Sequence, residues 1–218
     1  MSITANINDI KWELPERLTI EEWRQLQQWE FENPAHWPWI INTISSIPAE
    51  EFNNADPKSM QLFMGFIVSA MNLRTLKHQP KLEAMKFGQF VDLDCFVSLG
   101  IEKHIQDMLD ILEVDTPWAN EALASIEQYI KWRTTIYKQY AQLFDINEND
   151  SVLVDDKDFD PKEVPRSWYK VIVELAGKDI LKMDQVTEEP LHKVLTFLQI
   201  KKEEAVAAAH LARKQKIK

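Results

Sequence analysis

The stretch "KFGQFVDLDCFVSLG", residues 86–100, holds the chain's only cysteine, two carboxylates and two of its four glycines. A thiol beside acids could serve as a nucleophile, and two carboxylates two residues apart could share a metal. Packing competes with both. Val91, Leu93, Cys95, Val97 and Leu99 alternate as in a strand, but Phe96 breaks that pattern, while Phe90, Leu93 and Val97 line one helical face. The spacing predicts a helix over 88–99 with Gly100 just beyond its end. On such a helix Asp92 and Asp94 diverge, which separates the two would-be ligands. Asp92 then lies in the first turn, where a carboxylate favours the positive end of the helix. Cys95 has no histidine near it in sequence and reads as a small core residue.

A second constellation lies in "DINENDSVLVDD", where Asp145, Asn147, Asn149 and Asp156 fall at positions 1, 3, 5 and 12 of a calcium loop. The match is partial: Asp150 stands where the sharp turn needs glycine, and Asp156 is shorter than the bidentate glutamate such loops use. A solvated acidic connection is the competing reading and the one adopted. The five histidines, at 36, 78, 104, 192 and 210, form no H-x-x-x-H pair and have no CxxC companion, so zinc has no support. No G-x-G-x-x-G, P-loop, G-x-S-x-G or kinase pattern occurs. The sequence therefore names no catalytic residue, no metal ligand and no cofactor, and the chain is expected not to be an enzyme.

Tryptophan is the other chemically conspicuous residue. Five of the eight tryptophans, Trp12, Trp23, Trp29, Trp37 and Trp39, fall within the first 39 residues. Large amphipathic rings serve both in cores and at interface hot spots. Core packing is the favoured reading for these rings; because "HWPW" lies beside prolines, where a helix cannot bury every ring, a partner-binding surface competes with it, for which Trp23, Trp29, Trp37 and Trp39 are the candidate residues.

The elements that must position these groups are helical. Four glycines against ten prolines leave little material for hairpin turns. Thr19 and Glu22 form a capping box opening a helix over 20–31, and Pro34 and Pro38 break the chain before a short helix toward Ile44. Asp56 and Pro57 start an apolar helix expected at the centre of the fold. Residues 75–86 read as a connection. Helical spacing recurs over 101–112, and Thr116 and Pro117 precede a long helix reaching Phe144. Ser167 caps a helix stopped by Gly177, and Pro190 opens the last one. Its basic end, with Arg213, Lys214, Lys216 and Lys218, reads as a frayed terminus, with a docking arm as the alternative. The expected fold is mainly α, an irregular multi-helix bundle with short loops and at most a minor extended segment, for which "SVLV" at 151–154 is a candidate. Residues 145–165 hold eight acids and two lysines and divide the chain into an N-terminal helical domain (1–144), an acidic linker (145–165) and a C-terminal helical subdomain (166–218).

A formal charge of -10 across 218 residues repels a phosphate backbone, so nucleic acid is not an expected partner. The longest apolar run, Leu62 to Met71, is about half of the roughly 20 residues a membrane crossing needs. One cysteine and a polar N-terminal stretch without a signal-peptide pattern point to the cytosol.

Three stretches, in this order, resemble a family of small tail proteins of tailed bacteriophages: "ELPERLTIEEWRQLQQWE", "KFGQFVDLDCFV" and "WYKVIVELAGKDILKMDQVTEEPLHKVLTFLQIKKEE". The resemblance implies a tail assembly chaperone or baseplate-hub assembly protein of a contractile-tailed phage. Such a protein has no catalytic residues to transfer, and holds a tail or baseplate protein, such as the tape measure or hub protein, until assembly. It would act in the cytoplasm of the infected bacterial host. The alternatives are a permanent component of the virion tail or baseplate, and a small helical enzyme built on scattered acids and histidines. The heavy tryptophan load and the acidic insert at 145–165 depart from the family pattern.

Overall fold

The computed structural model describes residues 3–7, 10–45, 47–77, 79–144 and 160–216. The protein is mainly α. In chain order it comprises β1 (Ile3–Ile7), β2 (Ile10–Leu14), α1 (Ile20–Leu26), α2 (Trp37–Ser45), α3 (Pro57–Asn72), α4 (Phe87–Leu99), α5 (Ile101–Ile111), α6 (Ala119–Gln139), α7 (Ala141–Phe144), α8 (Glu163–Leu175), α9 (Met183–Thr187) and α10 (Leu191–Lys216), with 3-10 turns at Pro34–His36, Ala49–Asn54 and Ile180–Lys182. The strands form an antiparallel hairpin in which Ile3 pairs with Leu14 and Ile7 with Ile10. This extended segment was not expected at the N-terminus, and the "SVLV" candidate lies outside the described residues.

The chain divides into two compact units that interleave in sequence: residues 1–80 with 105–127, and residues 81–104 with 128–218. The division expected from composition, 1–144, 145–165 and 166–218, follows other boundaries. Composition marks the acidic stretch, whereas the units are set by long-range pairing that composition does not encode.

In the first unit the capping box forms as expected: the Thr19 hydroxyl accepts from the Glu22 amide at 3.2 Å and Glu22 Oε2 accepts from the Thr19 amide at 2.7 Å. The start of α1 is also tied to α6. The Ile20 amide donates to Pro117 O and the Ala119 amide donates to Leu18 O, both at 2.9 Å, so each helix satisfies a first-turn donor of the other. Helix α1 stops at Leu26, earlier than the expected Phe31. Its last amides turn back by three residues, Gln27 to Arg24 and Trp29 to Leu26, and the Glu30 amide is taken by His36 Nδ1. Asp56 caps α3 through the Ser59 amide, with Pro57 at the first helical position. Helix α3 is not central: Met60, Phe63, Met64 and Ile67 are buried, but Leu62 is 76% exposed and Val68 also faces out. Apolar content all round marks a helix without telling which face has a neighbour.

The second unit repeats the device at the starts of α4 and α10. The Phe87 amide donates to Glu189 O at 2.8 Å and the Leu191 amide to Met85 O at 3.1 Å. Helix α4 ends at Leu99 with Gly100 at φ 113°, a conformation that disfavours any side chain. Gly88 allows close approach: a Cβ there would lie 2.8 Å from Thr187 Cβ at the end of α9. Helix α8 begins at Glu163 rather than at Ser167, because a turn from Asp160 feeds it, the Glu163 amide donating to Asp160 O at 2.9 Å. The expected single helix to Phe144 is divided into α6 and α7. Helix α10 runs helical to Lys216, and from Glu203 through Lys214 every side chain is exposed.

Candidate functional site

The tryptophans of the first unit separate by role. Trp23 faces inward from α1 and is buried among the core residues, so it packs the core and offers no binding surface. Trp37 is half-buried, and its indole N–H donates to Phe31 O at 2.8 Å, pinning the loop before Pro34. Trp29 and Trp39 form the outer surface. Their rings stack at 6.5 Å with an interplanar angle of 12°, and the His36 ring lies 5.6 Å from Trp29. Trp39 remains 53% exposed.

Local backbone chemistry builds this surface. The Asn33 side chain accepts from the Ala35 amide at 3.1 Å and caps the 3-10 turn that Pro34 opens. That turn carries His36 back over the end of α1, where its Nδ1 accepts the Glu30 amide at 3.2 Å. Helix α2 then presents Trp39 outward, while Ile40, Ile41 and Ile44 are buried. A shallow cleft of about 610 Å³ beside Trp39 is walled by Pro38, Pro48 and Glu50. The indole N–H of Trp29 is buried and has no acceptor among the described residues.

The opening stretch of the sequence has a different role, in the second unit. Asp92 is exposed, whereas Asp94 is 1% exposed and is the polar centre of an aromatic core. Asp94 Oδ1 accepts from Arg133 Nε and, at 2.8 Å, from the Tyr137 hydroxyl; Oδ2 accepts from Trp168 Nε1 at 2.6 Å. Arg133 also donates to the Tyr137 hydroxyl at 3.2 Å. Around these groups Phe90 meets Trp132, Tyr137 and Trp168 edge-on at 5.9 to 6.1 Å. Burial, reinforced by the neighbouring Asp94 charge, pushes the Tyr137 phenol well above its ordinary range. The sequence signal for Asp94 was its place on the Phe90 and Leu93 side of the helix, but its partners lie 39 to 74 residues away.

Beside this cluster a cavity of about 400 Å³ opens between Tyr137, Phe144, Val164, Trp168 and Leu198. Its walls are mainly apolar, and the carboxylate at its base is held by three donors from the chain itself. The Tyr137 hydroxyl both donates and accepts. Its one proton is committed to Asp94 Oδ1, so giving it to a substrate would first break that bond. Cys95 is half-buried rather than in the core, and burial, with Asp94 and Asp92 adding, pushes its thiol up to about 12. It is therefore protonated at neutral pH, the opposite of an activated nucleophile.

Among the described residues no group of three or more His, Cys, Asp or Glu is placed to hold a metal ion. The calcium-loop candidate, residues 145–156, lies outside the described residues. No helix among them is long and apolar enough to cross a membrane. No protein-family model, curated protein or solved structure matches the chain.

Proposed function

We propose that the chain is a non-catalytic assembly protein of a contractile-tailed bacteriophage, a tail assembly chaperone that holds an apolar segment of a tail or baseplate protein. The observation that carries the reading is the aromatic surface of the first unit, where Trp29 and Trp39 stack with one indole half out in solvent. Exposed tryptophan is uncommon on a surface with no use for it, and rigid amphipathic rings are the residues around which protein interfaces concentrate their energy. The outward Leu62 and Val68 of α3, in the same unit, add apolar surface. The order of the three family-like stretches supplies the phage assignment.

Co-expression with the tape-measure or hub protein of the same phage is the test. The expected result is a higher soluble fraction of the partner and a complex that survives size-exclusion chromatography. Unchanged partner solubility together with no co-eluting complex would overturn the reading.

A further inference from the structure

The aromatic surface of the first unit has a charge pattern of one sign. From Gln25 through Pro57 the sequence contains no Lys or Arg, yet it carries Glu30, Glu32, Glu50, Glu51 and Asp56. Glu30 and Glu32 follow Trp29 closely in sequence, and Glu50 faces the same cleft as Trp39. The Glu30 amide is bound to His36, whose ring lies 5.6 Å from Trp29. Glu30 and Glu32 line one open cleft, and Glu50 lines the cleft beside Trp39. All three are exposed, and among the described residues none forms an ion pair. Elsewhere in the unit buried or bordering carboxylates find cations: Glu121 meets Arg17 and Lys77, and Glu127 meets Arg74.

An exposed indole face carries the negative lobe of its quadrupole and attracts a cation. Carboxylates around it deepen the same potential. We propose that this surface binds a basic segment of another protein, with a Lys or Arg side chain lying over the Trp39 ring and further basic side chains meeting Glu30, Glu32 and Glu50. An acidic segment would meet only like charge there. The apolar residues of the basic segment would pack on the indoles while its basic ones meet the carboxylates, so the inference adds charge to the apolar segment of the assembly reading. Because the groups are exposed, the attraction is screened by salt. The inference rests on the assembly reading only in taking the tail or baseplate partner as the source of that segment.

Calorimetry on the full chain with synthetic peptides tests it. The probe is a 15-residue peptide of alternating Arg, Leu and Ser, compared with counterparts carrying Lys or Glu in place of Arg. The Arg and Lys peptides are expected to bind, and raising the salt from about 0.05 to about 0.5 M should weaken them about tenfold or more. Trp39→Ala is expected to weaken binding about fivefold. The set Glu30→Gln, Glu32→Gln and Glu50→Gln is expected to weaken it about tenfold, whereas Glu174→Gln with Glu203→Gln and Glu204→Gln, an equal charge change in the second unit, should leave it within about twofold.

Equal binding of the Glu peptide, or equal losses from the two glutamate sets, would overturn the proposal, the second by showing mere attraction to an acidic chain. A mass in light scattering that rises with protein concentration, and falls with Arg213→Ala and Lys214→Ala, would overturn it in favour of a second copy as occupant. A tail-protein complex that forms but ignores Trp39→Ala and the first glutamate set defeats this inference and leaves the assembly reading standing. Peptide binding through Trp39 with no tail protein captured does the reverse.

Discussion

At the scale of single residues, the indole nitrogens and Asp94 show how much depends on one partner. Trp29 and Trp37 are both half-buried, eight positions apart, and differ in whether the N–H is satisfied. Removing a buried donor that has no acceptor relieves a desolvation cost, whereas removing one that is bonded orphans its acceptor. Trp29→Phe is thus expected to change stability by less than about 0.5 kcal/mol or to raise it, and Trp37→Phe to lower it by about 1 kcal/mol, read from urea unfolding of the two variants side by side. The reverse order would show that the pairing has been misassigned. Asp94 is the stronger case, because Arg133 is only 14% exposed and loses its counter-charge if the carboxylate goes. Asp94→Asn should cost about 3 kcal/mol, as removal of one member of a buried pair does. Asp94→Leu combined with Arg133→Met should cost less than the sum of its two single changes, since it removes both charges together. Additive losses in that double-mutant cycle would mean the two side chains are not coupled. Sequence reading saw Asp92 and Asp94 diverge, but not which of them turned inward, since that is settled by Arg133, Tyr137 and Trp168.

At the scale of elements, helix starts are where local chemistry reads most directly. Thr19 with Glu22, and Asp56 with Pro57, are short-range signals whose bonds form within three residues. The pairing of α1 with α6, and of α4 with α10, joins residues about a hundred positions apart, and no local pattern announces it. The early end of α1 has a nearer cause: His36, carried by the next turn, takes the Glu30 amide that would have continued the helix. Glu121 shows the pairing at work. It is buried on α6, its Oε1 held by Arg17 at 3.0 Å and Lys77 at 2.6 Å, and its Oε2 accepts from the Thr116 hydroxyl. Burial alone would raise its pKa, but the bonds from Lys77 and Thr116 and the two cations outweigh it and hold the carboxyl below its ordinary value near 4.5. A depressed carboxyl stabilises the fold above the unfolded-state value and stops doing so as pH falls through the folded-state value. Glu121→Gln should therefore cost about 1 to 2 kcal/mol at pH 7, with the deficit shrinking steadily below about pH 4.5. A deficit constant from pH 7 to pH 3 would show that the ion pairs contribute nothing and only packing was disturbed.

At the scale of the whole molecule, the interleaving of the two units decides which pieces can fold. The mainly α character was legible in the shortage of glycine and the apolar spacing. The division was not, because the acidic stretch at 145–165 is a feature of composition, whereas the first unit needs residues 105–127 from the middle of the chain. Those residues supply buried Ile105, Met108, Leu109, Ala122 and Ile126, and the carbonyl of Pro117 that receives the Ile20 amide. Losing several fully buried side chains, each contributing about 1.5 to 3 kcal/mol, exceeds the roughly 5 to 15 kcal/mol by which domains are stable once the exposed remainder is counted. A chain of residues 1–80 is accordingly expected to remain unfolded, with unprotected amides throughout. A chain of residues 1–127 carries every part of the first unit and should recover slow hydrogen exchange at Ile20 and Trp23, even though Phe87, Phe90 and Leu93 of α4 lose their partners in the second unit. Slow exchange at Ile20 in the 1–80 chain would show that its donor is satisfied without Pro117, and that the first unit is closed by residues 1–80 alone.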